Sequence, residues 1–162
     1  MDVLAGLLNG VRARGAFVLR LSLDPPWSMR VQDEAPLTLI CQTRGDAVIT
    51  ADGDEPVWLH PGDLALARGN RHYQFADHPA SPPQVVIHPG QRCTTLGGDD
   101  LRFAMTVGVR TWGNSASGAH RAVIGAYEGH SAIGDRLLGT LPALVVLRHD
   151  EWPTSLVDML SE

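Results

Sequence analysis

Seven histidines and two cysteines are the residues of this 162-residue chain best suited to hold a metal or move a proton. His72 stands apart because it directly follows the Arg68-Gly69-Asn70-Arg71 turn and opens a strand, which places it at the mouth of a sheet. A catalytic iron, manganese or zinc ion needs several imidazole or carboxylate donors converging at short range. His60, His78, His88, His120, His130 and His149 are scattered, with no pair at metal-ligand spacing. His72 is therefore only a weak metal candidate, and its expected role is to line an interior. Ser28, Ser81, Ser115 and Ser131 lack the sharp strand-to-helix turn that exposes a catalytic serine. Gly97-Gly98 leads into no helix that would cradle a phosphate. The acidic pairs Asp33-Glu34 and Asp99-Asp100 read as solvated loop charges. No catalytic residue and no cofactor is expected.

Cys41 and Cys93 make neither a zinc framework nor a disulfide scaffold. Cys41 falls inside a strand and reads as a small buried apolar residue. Cys93 sits in a Gly/Thr-rich loop and should be the more accessible of the two. A Cys41–Cys93 redox pair is an alternative, though a reducing cytosol disfavours a permanent bond.

The elements that must position these residues are short strands. Val57 to Leu59, Leu64 to Ala67 and a strand from His72 are joined by the Pro61-Gly62-Asp63 turn and the Arg68–Arg71 turn, as in an antiparallel sheet. Phe17 to Leu23, Leu37 to Thr43, Ala47 to Thr50, Val85 to His88, a segment around Phe103 to Val109, Ala122 to Tyr127 and Leu144 to Leu147 extend the pattern. Helical spacing occurs at the two ends. Val3, Leu4, Leu7, Leu8 and Val11 form one stripe, and Ile133, Leu137, Leu138 and Leu141 another. A last short helix carries Leu156, Val157, Met159 and Leu160, and it needs a partner to be stable.

Length fits one domain. A net charge of -5 repels phosphate backbones, which argues against direct nucleic-acid binding by these residues. No apolar run approaches the roughly 20 residues that span a bilayer, and no signal peptide is evident, so a cytoplasmic location without membrane contact is expected.

The turn–strand–turn–His run from Gly62 to His72 resembles the second motif of the cupins, one residue shorter than usual. If the first-motif glycine is Gly45, Thr38 stands where metal-binding cupins have Glu. Gln32 and Glu34, or Val31 and Asp33, then occupy the two His positions. The resemblance thus implies a mainly β, cupin-like double-stranded β-helix (a jelly-roll barrel) with an N-terminal helix and C-terminal helices, three of its four usual metal ligands being replaced.

Further runs resemble the N-terminal sensor domains of AraC-type bacterial transcription regulators. They are Asp2 to Leu8, Pro26-Trp27, Pro61 to Leu64, Arg68 to His72, Gly108 to Asn114, Gly125 to Glu128 and Arg136 to Pro142. That implies a sensor domain over 1–150 and the start of a linker or dimerisation helix over 151–162, with Leu156, Val157 and Leu160 as the interface stripe. It further implies a small-molecule effector and a homodimer. DNA would be contacted only through a C-terminal helix-turn-helix part that these residues lack.

On that alignment, strand alternation places Thr38, Ile40 and Gln42 inside, with Leu37, Leu39 and Cys41 opposite. The same logic puts His72 and Gln74 inside and Tyr73 outside. Trp27 would edge a pocket suited to a small neutral or weakly polar effector. The alternatives are a metal-dependent cupin enzyme (dioxygenase or isomerase) and a thiol-based redox sensor.

Overall fold

The computed structural model describes residues 16–69, 71–101, 103–127, 136, 139–140 and 142–152. The three helices expected at the ends of the chain, including Leu156, Val157 and Leu160, lie outside the described residues.

Alternating apolar residues make two sheets. The larger joins β1 (Ala16–Leu23), β3 (Leu37–Arg44), β6 (Leu64–Arg68), β10 (Thr106–Gly108), β11 (Thr111–Gly113), β12 (His120–Tyr127) and β13 (Leu144–Leu147), in the order β10-β11-β1-β12-β3-β6-β13. The smaller joins β2 (Ser28–Val31), β4 (Ala47–Ala51), β5 (Val57–Leu59), β7 (Tyr73–Ala76), β8 (Val85–His88) and β9 (Arg92–Thr94), in the order β5-β4-β7-β2-β8-β9. Pairing is antiparallel except for β1 with β11 and β2 with β8. The mainly β, cupin-like architecture expected from the sequence is present.

β3 is buried on both faces from Leu37 to Gln42. Ile40 enters the core between the sheets, whereas Leu37, Leu39 and Cys41 join Leu64, Leu66, Val123, Tyr127 and Trp152 in a second cluster on the opposite face. On the inner face, Ala65 and Ala67 of β6 are small, while Phe75 and Ile49 fill the space from the smaller sheet.

The Pro61-Gly62-Asp63 turn is a structural hub. Gly62 has φ of 95°, and a Cβ there would lie 2.7 Å from that of His149, so the position accepts only glycine without rearrangement. Its N–H donates to the Gln42 carbonyl at 2.7 Å. Asp63, 1% exposed, accepts from the His60 amide at 2.9 Å, the Arg148 guanidinium at 2.9 Å and the His149 amide at 3.0 Å. Burial alone would push its carboxyl up, but these bonds hold it below the usual carboxylate range. Trp152 adds an indole N–H donated to the Gly62 carbonyl at 3.0 Å. The segment after β13 is thereby fastened to the turn between β5 and β6.

Candidate functional site

Between the sheets lies a cavity of about 640 Å³, within the ~300–1,000 Å³ range of small-molecule sites. Leu19 and Leu21 of β1, Ile40 of β3 and Ile124 of β12 contribute apolar walls from the larger sheet. Met29 and Val31 of β2, Phe75 of β7 and Ile87 of β8 face them from the smaller one. Trp112 of β11 closes one side. Its approach depends on Gly113, where a Cβ would fall 1.8 Å from the Ser22 carbonyl oxygen. Trp112 is 7% exposed, and its indole N–H has no hydrogen-bond partner.

Two hydroxyls interrupt this apolar lining. Thr38 and Tyr73 are both buried and hydrogen-bonded to each other. Burial, reinforced by the negative charge of Asp33, drives the Tyr73 pKa upward and keeps its hydroxyl protonated.

The remaining polar lining comes from Asp33, Gln91, Arg92, Cys93, Asp100 and Thr106, several of them exposed, and they mark the mouth. Gln91 donates its side-chain N–H to Asp33 Oδ2 at 2.7 Å. Glu34 (φ 54°) and Gln91 (φ 62°) hold left-handed backbone beside that bond, a conformation non-glycine residues adopt at some cost. Burial, then the charges of Asp100 and Asp33, push the Cys93 thiol up to about 11. It stays protonated at neutral pH and is a poor nucleophile.

The sequence-predicted residues divide among three places. Thr38 and Ile40 line the cavity. Gln42 and Trp27 are buried on the inner side but line a separate small recess with Leu23 and His120. Gln42 donates to the carbonyls of Arg44 and Gly45, both at 3.0 Å, while its Oε1 has no partner. Trp27 donates its indole N–H to His120 Nδ1 at 2.6 Å and packs edge-on against Phe75.

His72 and Gln74 point away from the cavity, contrary to the expected alternation. His72 precedes β7 and pairs with Glu34 at 3.2 Å, its side chain 34% exposed. Gln74 donates to Ser28 Oγ at 2.6 Å and the Ser81 carbonyl at 2.8 Å. The inward positions of β7 belong to Tyr73 and Phe75, the two residues with large apolar area to bury. That i, i+2 pair was the sequence signal, and following the histidine reversed it.

Cys93 is in β9 rather than a loop, half-buried against the inner core, whereas Cys41 belongs to the cluster on the far side of the larger sheet. Burial, then the charge of Asp63, also raises the Cys41 thiol to about 11.

Comparison with known proteins places this geometry. The family model described as Cupin matches residues 2–162, and the chain belongs to that family. Among solved structures, an apo form of a ToxT variant from Vibrio cholerae is similar at 8% sequence identity and a TM-score of 0.43, covering 90% of this chain and 46% of that one. The chain thus spans less than half the length of that protein. No curated protein matches the chain.

Membership of the cupins raises the question of a metal. Thr38 is committed to Tyr73, His72 and Glu34 pair outside the cavity, and Asp33 accepts from Gln91 and from the Ala35 amide. Among the described residues no three His, Cys, Asp or Glu side chains gather where they could hold an ion. This donor set does not fit a catalytic metal. Among the described residues, no helix is long and apolar enough to cross a membrane.

Proposed function

We propose that the chain is the ligand-sensing and dimerisation domain of an AraC-type transcription regulator, with a small-molecule effector bound in the cavity between the sheets. The observation that carries this reading is the cavity itself. It has a preformed apolar chamber, one buried hydroxyl pair, and polar groups confined to its mouth. That arrangement suits selective binding better than acid–base or nucleophilic chemistry. The ordered sequence runs described above support the regulator assignment and, with it, a homodimer working in the cytoplasm. DNA contact would be made by a separate helix-turn-helix part.

An effector can act only through different affinity for two arrangements of the domain. The coupling path we favour starts at β3, which lines the cavity and pairs with β6. β6 pairs with β13, and the residues after β13 are fastened to Asp63. Occupancy that shifts β3 would reach the Asp63 hub and the linker beyond Trp152.

The test is a thermal-shift screen of metabolite pools followed by calorimetry. A true effector at about a hundred times its Kd stabilises the fold by roughly 2.7 kcal/mol, and Ile40→Trp, which projects an indole into the chamber, reduces the shift. An undiminished shift in that variant would count against binding at β3. The enzyme alternative requires stoichiometric iron, manganese or zinc after purification, which elemental analysis reads directly.

A further inference from the structure

We propose that the cavity selects an uncharged, mainly apolar molecule carrying a hydrogen-bond acceptor, a carbonyl above all, which takes the indole N–H of Trp112. This rests on the cavity being the effector site and adds the chemistry of what fills it.

The four tryptophans show what an indole N–H does in this protein. Trp27 donates to His120 Nδ1 at 2.6 Å and Trp152 to the Gly62 carbonyl at 3.0 Å. Trp58 is 37% exposed and open to water. Trp112 differs from all three. It is buried, it stands in the chamber wall, and no acceptor among the described residues reaches its N–H. A buried donor without a partner is uncommon and costs stability, and phenylalanine would wall the chamber without that cost. The backbone of Trp112 is also held in place. β11 pairs with β1 so that Trp112 lies beside Leu21. The next residue, Gly113, donates its N–H to the Met105 carbonyl at 2.8 Å and sits where any side chain would strike the Ser22 backbone. Moving the strand toward a protein acceptor is thereby blocked, whereas a molecule in the chamber can bring an acceptor to the indole.

The surrounding wall decides the charge. Leu21, Met29, Ile40, Phe75 and Ile124 line the chamber with Trp112. An ionised group against such walls loses its hydration with nothing to replace it. A neutral N–H calls for a lone pair, and a carbonyl oxygen supplies two without adding a donor that would itself need a partner. An alcohol brings such a donor, and a carboxylate brings a charge.

NMR of the whole chain, labelled in its indole N–H groups and isoleucine methyls, tests this with three molecules of one size: acetophenone, α-methylstyrene (C=CH2 in place of C=O) and benzoate. Movement of the Ile40 and Ile124 methyls reports occupancy, and the Trp112 N–H, assigned through the β11 backbone, reports the bond. Acetophenone should move that N–H downfield and α-methylstyrene should not. Trp27 and Trp152, whose N–H groups are already bonded, serve as references. The acetophenone-to-α-methylstyrene affinity ratio should fall roughly fivefold in Trp112→Phe, as the loss of one neutral hydrogen bond allows. That variant gives up no indole hydrogen bond in the ligand-free protein. Benzoate should bind weakest. Equal movement of the N–H with both neutral molecules, or an unchanged ratio in Trp112→Phe, overturns the acceptor inference and leaves the effector cavity standing. Benzoate binding as tightly as acetophenone overturns the uncharged character. If neither neutral molecule moves the Ile40 and Ile124 methyls, the effector cavity falls as well.

Discussion

Replacing Asp63 with Ala should loosen the point at which the segment after β13 is held. The carboxylate is 1% exposed and accepts from two backbone amides and one guanidinium. A hydrogen bond to a charged group contributes ~1.5–3 kcal/mol. The side chain of Arg148 is 42% exposed, so its share is discounted to ~1 kcal/mol or less. With incomplete additivity the loss comes to about 3 kcal/mol. For a domain of this size that lowers Tm by roughly 6–12 °C. The sign with pH is fixed by the carboxyl being held below its ordinary 3.8. The native state binds this proton less readily than the unfolded chain, so the stabilisation is complete above the unfolded value and disappears as pH falls through the lower native one. Thermal unfolding followed by circular dichroism should show a wild-type-to-variant gap that is flat above about pH 5 and narrows below about pH 4. A drop under about 2 °C near neutrality, or a gap that widens on acidification, would refute the hub.

Three further outcomes are expected. His72→Ala removes an exterior contact with Glu34 and should change stability by no more than ~1 kcal/mol, with effector affinity unchanged; loss of binding would show that the faces of β7 have been misassigned. Thr38→Val orphans the buried Tyr73 hydroxyl and should cost about 1–3 kcal/mol, most of it recovered by adding Tyr73→Phe; denaturant melts of the two variants decide this. Iodoacetamide near pH 7.5 should alkylate Cys93 roughly a hundredfold more slowly than a free thiol, given a pKa of about 11, and Cys41 only on unfolding. Rapid labelling of Cys93 would revive the redox reading.

Most strands were legible because their boundaries carry chemistry that acts locally. Val57–Leu59, Val85–His88 and Leu144–Leu147 have the same limits in the sequence and in the structure, each being an apolar run cut off by turn residues. β2, β9 and β11 were not legible. Each has only three or four residues, too few for an alternating pattern to stand out from its surroundings. Their strand character comes from neighbours distant in sequence, as when β2 is held between β7 and β8.

The site was half legible. Thr38 and Ile40 followed from the alternation of β3, a strand anchored by a clear turn at Gly45. On β7, alignment on His72 outweighed Tyr73 and Phe75, and a shift of one residue inverts every side chain. Asp33, Arg92, Asp100 and Trp112 reach the cavity from separate loops and strands, so no local pattern could bring them together. Gln42 and Trp27 are buried but line the recess rather than the cavity, and depth along the barrel, which separates the two, has no periodic signature.

Methyl NMR during titration with octan-1-ol tests the central claim most directly. If the space between the sheets receives the ligand, resonances of Ile40, Ile87, Ile124 and Met29 move first, while Leu39 and Leu66 on the opposite face of the larger sheet stay in place. Shifts centred on Leu39 and Leu66, or none at saturating octan-1-ol, would contradict it.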